Sequence, residues 1–301
     1  MRPNYRPLQL RKFLSLHRSI ITAIAAGAFA VLPLPGAAEP AIPDLAGVWG
    51  RDSVTFESPT SGPGPVVSRT HTVDSLAGDY SNPVLQPWTA AEVKRKGDES
   101  VAGIAFDTPH NQCWPQPPPY IFVELEMQIV QAPKQVLLMY VGDHEVRHVR
   151  LNATHPENLK PSYHGDSIGH YEGDTLVVDT VGIAVTPLSM LDAYGTPYTP
   201  ALHLIERYRL IDGKTAKETA ERNERENSRT HTAIVDRTYT GKGLQMQLTV
   251  EDPGAFTQPF SASVTYRKAN GDWPEIVCAE NPHNYTVSAD TKIPQATTPD
   301  F

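Results

Sequence analysis

The stretch LQMQLTVE (residues 244–251) alternates strictly, with Leu244, Met246, Leu248 and Val250 on one side and Gln245, Gln247, Thr249 and Glu251 on the other. A period of two marks a β-strand with one face in a core and one in water. Similar short runs lie around it, at 121–130, 135–141, 145–151, 167–171, 176–181, 202–211 and 260–267. All are rich in β-branched and aromatic residues. Turn signals fall between them: Ala132-Pro133-Lys134, Gly142-Asp143-His144, Glu172-Gly173-Asp174 and Asp252-Pro253-Gly254. Hairpin follows hairpin with no amphipathic helix between. This predicts an all-β, mainly antiparallel fold, a lipocalin-like or barrel-like meander rather than a βαβ arrangement.

Upstream the pattern is looser. Residues 45–49 read as a first strand and 52–70, rich in Ser, Pro and Gly, as loop. Residues 89–97 predict a short helix, with Thr89 as its cap, Glu92 three residues on and Gly97 at its end. The five prolines within 107–120 exclude regular structure there. Downstream, 213–228 (GKTAKETAERNERENS) predicts one helix inserted between strands, charged on every side. Glu218–Arg222 and Glu221–Arg225 have the favourable i,i+4 order, and only Ala216 and Ala220 are apolar, so it reads as a solvated insertion.

The first 38 residues have the three parts of a secretory signal. Arg2, Arg6, Arg11, Lys12 and Arg18 come first, then the apolar run 20–34, then Gly36-Ala37-Ala38. The run is shorter than the roughly 20 residues that cross a bilayer. Cleavage after Ala38 would leave a single domain, 39–301, in the periplasm or outside the cell. Removing the five basic residues of the leader leaves 21 basic against 34 acidic, net −13. With no cluster of Lys and Arg, nucleic acid and anionic membrane surfaces are excluded as partners. Cys113 and Cys278 are the only cysteines. In an exported chain they predict one disulfide, and their spacing is not that of a zinc motif.

Several constellations could carry chemistry. Gly165-Asp166-Ser167-Ile168-Gly169 fits the G-x-S-x-G nucleophile elbow, but a polar loop precedes it and a strand follows, the wrong context. His144 and His148 share a strand face about 13 Å apart, too far for one ion. His164, Asp166 and His170 form a looser group, the basis of an alternative reading as a metal-dependent hydrolase. Charges on apolar strand faces say more. Glu206 lies in line with Leu202, Leu204, Tyr208 and Leu210; Arg147 with Val149 and Leu151; Asp179 with Val177 and Val181. Buried charges must be paired. Glu206, Asp179 and Arg147 would then satisfy one another inside a barrel, or form the polar base of an apolar pocket. His148, His170 and His203 fall on the opposite faces.

Gly47-Val48-Trp49 at the head of a meander resembles the G-x-W of lipocalin-type barrels. From Asp44 onward the chain resembles a large bacterial family of exported proteins without assigned activity. The matching phrases include DLAGVW (44–49), QIVQAPKQVLLMY (128–140), GDSIGHYEGDTLVVDTVGI (165–183), LDAYGTPYTPALHLIERYRL (191–210) and VEDPGAFTQPF (250–260). The resemblance implies a secreted β-barrel-like domain and transfers no catalytic role. Arg147, Gly173, Asp174, Glu206, Arg207 and Asp252 lie within such phrases; His148 and His170 depart from the family's residues at their positions. Neither a phosphate loop nor a dinucleotide fingerprint is visible, so no organic cofactor is expected. The expectation is a barrel that binds a small apolar or aromatic molecule, as carrier or as cofactor-free lyase or isomerase. Glu206 or Asp179 would be the base and Arg147 the anchor for an anionic group. Arg207, Tyr208, His170 and His148 would contact the ligand.

Overall fold

The computed structural model describes residues 42–71, 75–142, 145–226, 235–269, Trp273 and Cys278. Nine strands follow one another around a closed barrel. They are β1 (Gly47–Gly50), β2 (Glu126–Ala132), β3 (Gln135–Tyr140), β4 (Val146–Leu151), β5 (Asp166–Glu172), β6 (Thr175–Val181), β7 (His203–Ile211), β8 (Gly243–Glu251) and β9 (Phe260–Lys268). The barrel closes where β1 meets β9, Trp49 opposite Lys268 and Gly50 opposite Arg267. The fold class is the one expected from the alternation. The expected inward row of β8, Leu244, Met246, Leu248 and Val250, is buried, and so are Val136, Leu138 and Tyr140 of β3 and Phe260, Ala262, Val264 and Tyr266 of β9. Each such aliphatic or aromatic side chain contributes about 1.5–3 kcal/mol by leaving water.

One junction breaks the meander. β4 and β5 run parallel, in register over only three pairs: Val149 with Ser167, Arg150 with Ile168, Leu151 with Gly169. Residues 152–165 cross over between them and are tied to the far end of β6 by Ser162 N–H to Gly182 O (3.1 Å) and Ala184 N–H to Ser162 O (2.8 Å).

Two elements differ from expectation. The run 121–130 is not one strand. Its first residues form a 3-10 turn, Tyr120–Val123, that buries Ile121 and Phe122 completely. A continuous apolar run fits a buried turn as well as a strand, so periodicity cannot separate them. Helix α1 is longer than expected, Pro87–Val101, with Pro87 in the first turn where its missing N–H costs nothing. Thr89 does not cap it; its hydroxyl donates to Ala255 O (2.8 Å). Gly97 lies inside the helix, where the lack of a side chain lets α1 rest on Ala77.

Helix α2 (Gly213–Glu226) begins at Asp212, whose carboxylate accepts from the Thr215 N–H (2.9 Å). It carries Lys214–Glu218 and Lys217–Glu221 pairs on its outside and buries Ala216 and Asn223 against the barrel. Residues 227–228 of the expected helix, and the whole leader, lie outside the described residues. Among the described residues no helix is long and apolar enough to cross a membrane.

Cys113 and Cys278 are within disulfide-bonding distance, Cα–Cα 5.6 Å, and their bond closes a loop of 165 residues. The chain-entropy model puts such a constraint at about 4–5 kcal/mol, an upper bound. Replacing both cysteines by serine should lower the urea midpoint by a stability loss of about 2–5 kcal/mol. An unchanged midpoint would show that the bond constrains nothing.

Candidate functional site

β7 projects Glu206 inward between Leu204 and Tyr208, and β4 projects Arg147 from the facing wall. Glu206 is 0 % exposed and Arg147 1 %. The two meet in a forked pair: Arg147 Nη2 donates to Glu206 Oε1 at 2.7 Å and Nη1 to Oε2 at 3.1 Å. Tyr208 donates its hydroxyl to Oε2 (2.6 Å), so both carboxylate oxygens are engaged. Nη2 also reaches Ser167 Oγ and Thr180 Oγ1, both at 3.2 Å, and Nη1 reaches the Tyr140 hydroxyl (3.4 Å). The guanidinium lies 5.6 Å from the centre of the Phe122 ring. Burial works against the charge on Arg147, but the Glu206 carboxylate and the phenol oxygens outweigh it and hold its pKa well above the usual value. Burial also raises the phenols of Tyr140 and Tyr208. Only Arg147 Nε, among this pair's atoms, is buried without a partner.

Asp179 does not join them. The inward face of β6 is Leu176, Val178 and Thr180, and Asp179 lies on the outer face with Val177 and Val181. The expectation failed because the run Leu176-Val177-Val178 is apolar on both faces, which hides which one is inside. Outside, Asp179 Oδ1 lies 3.0 Å from His155 Nε2 and 3.1 Å from His203 Nε2. His155 Nδ1 is 2.6 Å from Asp166 Oδ2, and His203 Nδ1 is 3.2 Å from Glu251 Oε2. Asp166 also accepts from Arg150 Nη2 at 2.7 and 2.8 Å. This chain of polar contacts fastens the crossover 152–165 to the barrel wall.

Of the expected ligand contacts, only Tyr208 points inward. Arg207 and His170 lie on the outer face, both paired with Glu172. His148 is exposed beside Gln135. His164, Asp166 and His170 each have a separate partner: Glu145 for His164 (2.6 Å), Arg150 and His155 for Asp166, and Glu172 for His170. Among the described residues no three His, Cys, Asp or Glu side chains are placed to hold a metal. Ser167 of the G-x-S-x-G stretch is buried in β5 against Thr180 (2.9 Å) with no imidazole on it.

The lumen is filled by Tyr140, Tyr208, Tyr266, Phe122, Met127, Ile129 and Leu138, each under 2 % exposed. Cavities of 310 to 600 Å³ open on the surface of the described residues, and Glu206 lines none of these. One of them, 600 Å³, is a groove between α1 and residues 185–198, walled by Trp88, Val185, Pro187, Pro197 and Tyr198, with Glu92, Arg95 and Lys96 at its polar edge. A second, 340 Å³, lies between α2 and the barrel and contains the buried Glu57, which accepts from Thr265 N and Oγ1, both at 2.8 Å. Burial raises the Glu57 pKa despite those bonds and the nearby Arg51. A third, 310 Å³, opens at the β4–β5 seam. No protein family, curated protein or solved structure matches the chain. The groove residues were invisible in sequence because they come from two segments nearly 100 positions apart; a tryptophan at a helix start was the only clue.

Breaking the ion pair should be costly. Arg147→Met or Glu206→Leu alone should each lose about 3–5 kcal/mol in urea unfolding, while the double variant recovers most of it, since the loss comes from one stranded charge. Single losses below about 1 kcal/mol would contradict this. For Glu57 the sign runs the other way from an ordinary paired carboxylate. A raised folded pKa means the folded state holds the proton more tightly, so stability falls as pH rises from the unfolded carboxyl value through the folded one. Glu57→Gln should remove that slope, so its stability relative to the parent improves from about pH 4 to pH 7. A pH-independent difference would refute the raised pKa.

Proposed function

We propose that this is an exported barrel protein that holds a small apolar or aromatic molecule in the groove between α1 and residues 185–198. The observation that carries the reading is the placement of Trp88. It is 46 % exposed, yet its indole N–H donates to Gly254 O at 2.8 Å, so a large aromatic face is held still beside solvent. Across the groove Val185 is 47 % exposed. Apolar surface kept in water and rigid is typical of a binding site, because little ordering entropy remains to oppose association. A volume of 600 Å³ suits a one- or two-ring ligand. Export is supported by the basic, apolar and small-residue leader, by the paired cysteines and by the resemblance to exported bacterial proteins. A carrier or scavenger is favoured over a lyase or isomerase. Glu206 already accepts from Arg147 and Tyr208 and has no oxygen left to take a proton from a substrate.

The test uses the neutral fluorescent probe N-phenyl-1-naphthylamine. Binding should be saturable, should quench tryptophan emission, and should weaken at least about tenfold in Trp88→Ala and in Val185→Asp. Equal binding in parent and both variants, or none in the parent, would defeat the proposal.

A further inference from the structure

Helix α2 rests closely on the barrel near its start. Ala216 is buried there, and a Cβ on Gly243 of β8 would come within 2.5 Å of its methyl group, so only glycine allows this approach. Beyond that contact the helix carries Lys217, Ala220, Glu221 and Asn223, and the space between them and the barrel is the 340 Å³ cavity. Its inner wall is polar. Arg51, Ser53, Glu57 and Thr265 line it, and all four are buried. Ala220 is the one apolar residue among the described lining. Such a wall suits a hydrophilic solute, unlike the apolar groove beside Trp88.

The charges of the lining do not cancel. Arg237 pairs with Asp52 (3.0 Å), and Lys217 lies 3.7 Å from Glu221. Arg51 donates to Phe122 O (2.6 Å) and to Thr55 O. Arg267 makes only long contacts, from Nη2 to Arg237 O (3.5 Å) and Tyr239 O (3.3 Å). Among the described residues neither of these two guanidiniums has a carboxylate at hydrogen-bond distance. The acid left to face them is Glu57, whose two oxygens accept from Thr265. Asp236, outside the lining, acts on Arg267 from farther off. Burial weakens the hold of Arg51 on its proton, and Tyr266 and Glu57 offset this only in part. One positive charge is therefore in excess along the cavity wall, where salt screens it less than at an open surface.

We propose that the cavity between α2 and the barrel binds a small hydrophilic carboxylate of the hydroxy-acid class, its carboxylate held by Arg267 and its hydroxyl groups facing Ser53, Glu57 and Thr265. A guanidinium offers parallel N–H donors that match a carboxylate, and Arg267 engages Nη2 alone. A single negative charge cancels the excess, whereas a phosphate dianion would overshoot it. The cavity shares no lining residue with the Trp88 groove, and the proposal does not rest on that groove.

The experiment titrates the intact protein with sodium gluconate and follows the Thr265 backbone amide and the Arg267 Nε–H by NMR. Both signals should shift saturably, and sodium chloride at the same ionic strength should not reproduce the shifts. Affinity should fall at least about tenfold in Arg267→Gln, which removes the charge. It should fall as far in Ala220→Phe, which fills the cavity and leaves every charge in place. Lys214→Gln, an exposed change on the outer side of α2, should leave binding as it is. Three results would overturn the proposal: no saturable shift at tens of millimolar gluconate; unchanged affinity in both Arg267→Gln and Ala220→Phe; or tighter binding of inorganic phosphate than of gluconate. Neutral probe binding at Trp88 is read by fluorescence in the same samples, so failure at one site is distinguishable from failure at the other.

Discussion

A guanidinium and a carboxylate locked together in a barrel of apolar side chains set the terms for everything else. Each ion would lose several kcal/mol of hydration on entering the interior. Neither can be there unless the other is, at hydrogen-bond distance and in the forked orientation. Arg147 comes from β4 and Glu206 from β7, while Ser167 and Thr180, which share the guanidinium, come from β5 and β6. Four consecutive strands are thereby held to one register. A slip of one residue on β7 would turn Glu206 to solvent and leave Arg147 stranded, a penalty that apolar packing alone would not impose.

The same arrangement explains why the cavities described lie outside the barrel. Tyr140, Tyr208 and Tyr266 fill the lumen together with the ion pair, and burial drives the Tyr266 phenol up to about 12. Three of the cavities lie where segments added to the barrel fail to lie flush on it: α1 against 185–198, α2 against the barrel wall, and the crossover beside the seam. Each is a place where an insertion meets the wall, and each has its own chemistry. The first is aromatic, the second holds a buried carboxyl, and the third is rich in cationic side chains.

Much of this was legible beforehand, for reasons that can be named. Strands with one polar face, such as 244–251, declared their inner side by alternation, and Glu206 stood out because every neighbour on its face was apolar. Asp179 was misplaced because β6 is apolar on both sides near its start. Strand direction leaves no trace in a period of two, so the parallel junction and its cleft had no signal. His155 lies in a segment without periodicity, and its partners, like the His164 partner of Glu145, are fixed only when the crossover folds back. The interior polar cluster could be anticipated from one strand at a time; the groove and the seam are products of assembly.

The closing pair of strands has a consequence for how the chain reaches this state. β1 is only four residues long, and β9 follows it by roughly 220 positions. Contacts between such distant parts of a chain form late and slow the overall reaction. Until β9 arrives, one edge of β1 has nothing to bond. Its brevity limits how much unsatisfied backbone is offered to other nascent chains in the interval. The shortest strand of the barrel thus stands where the wait for a partner is longest.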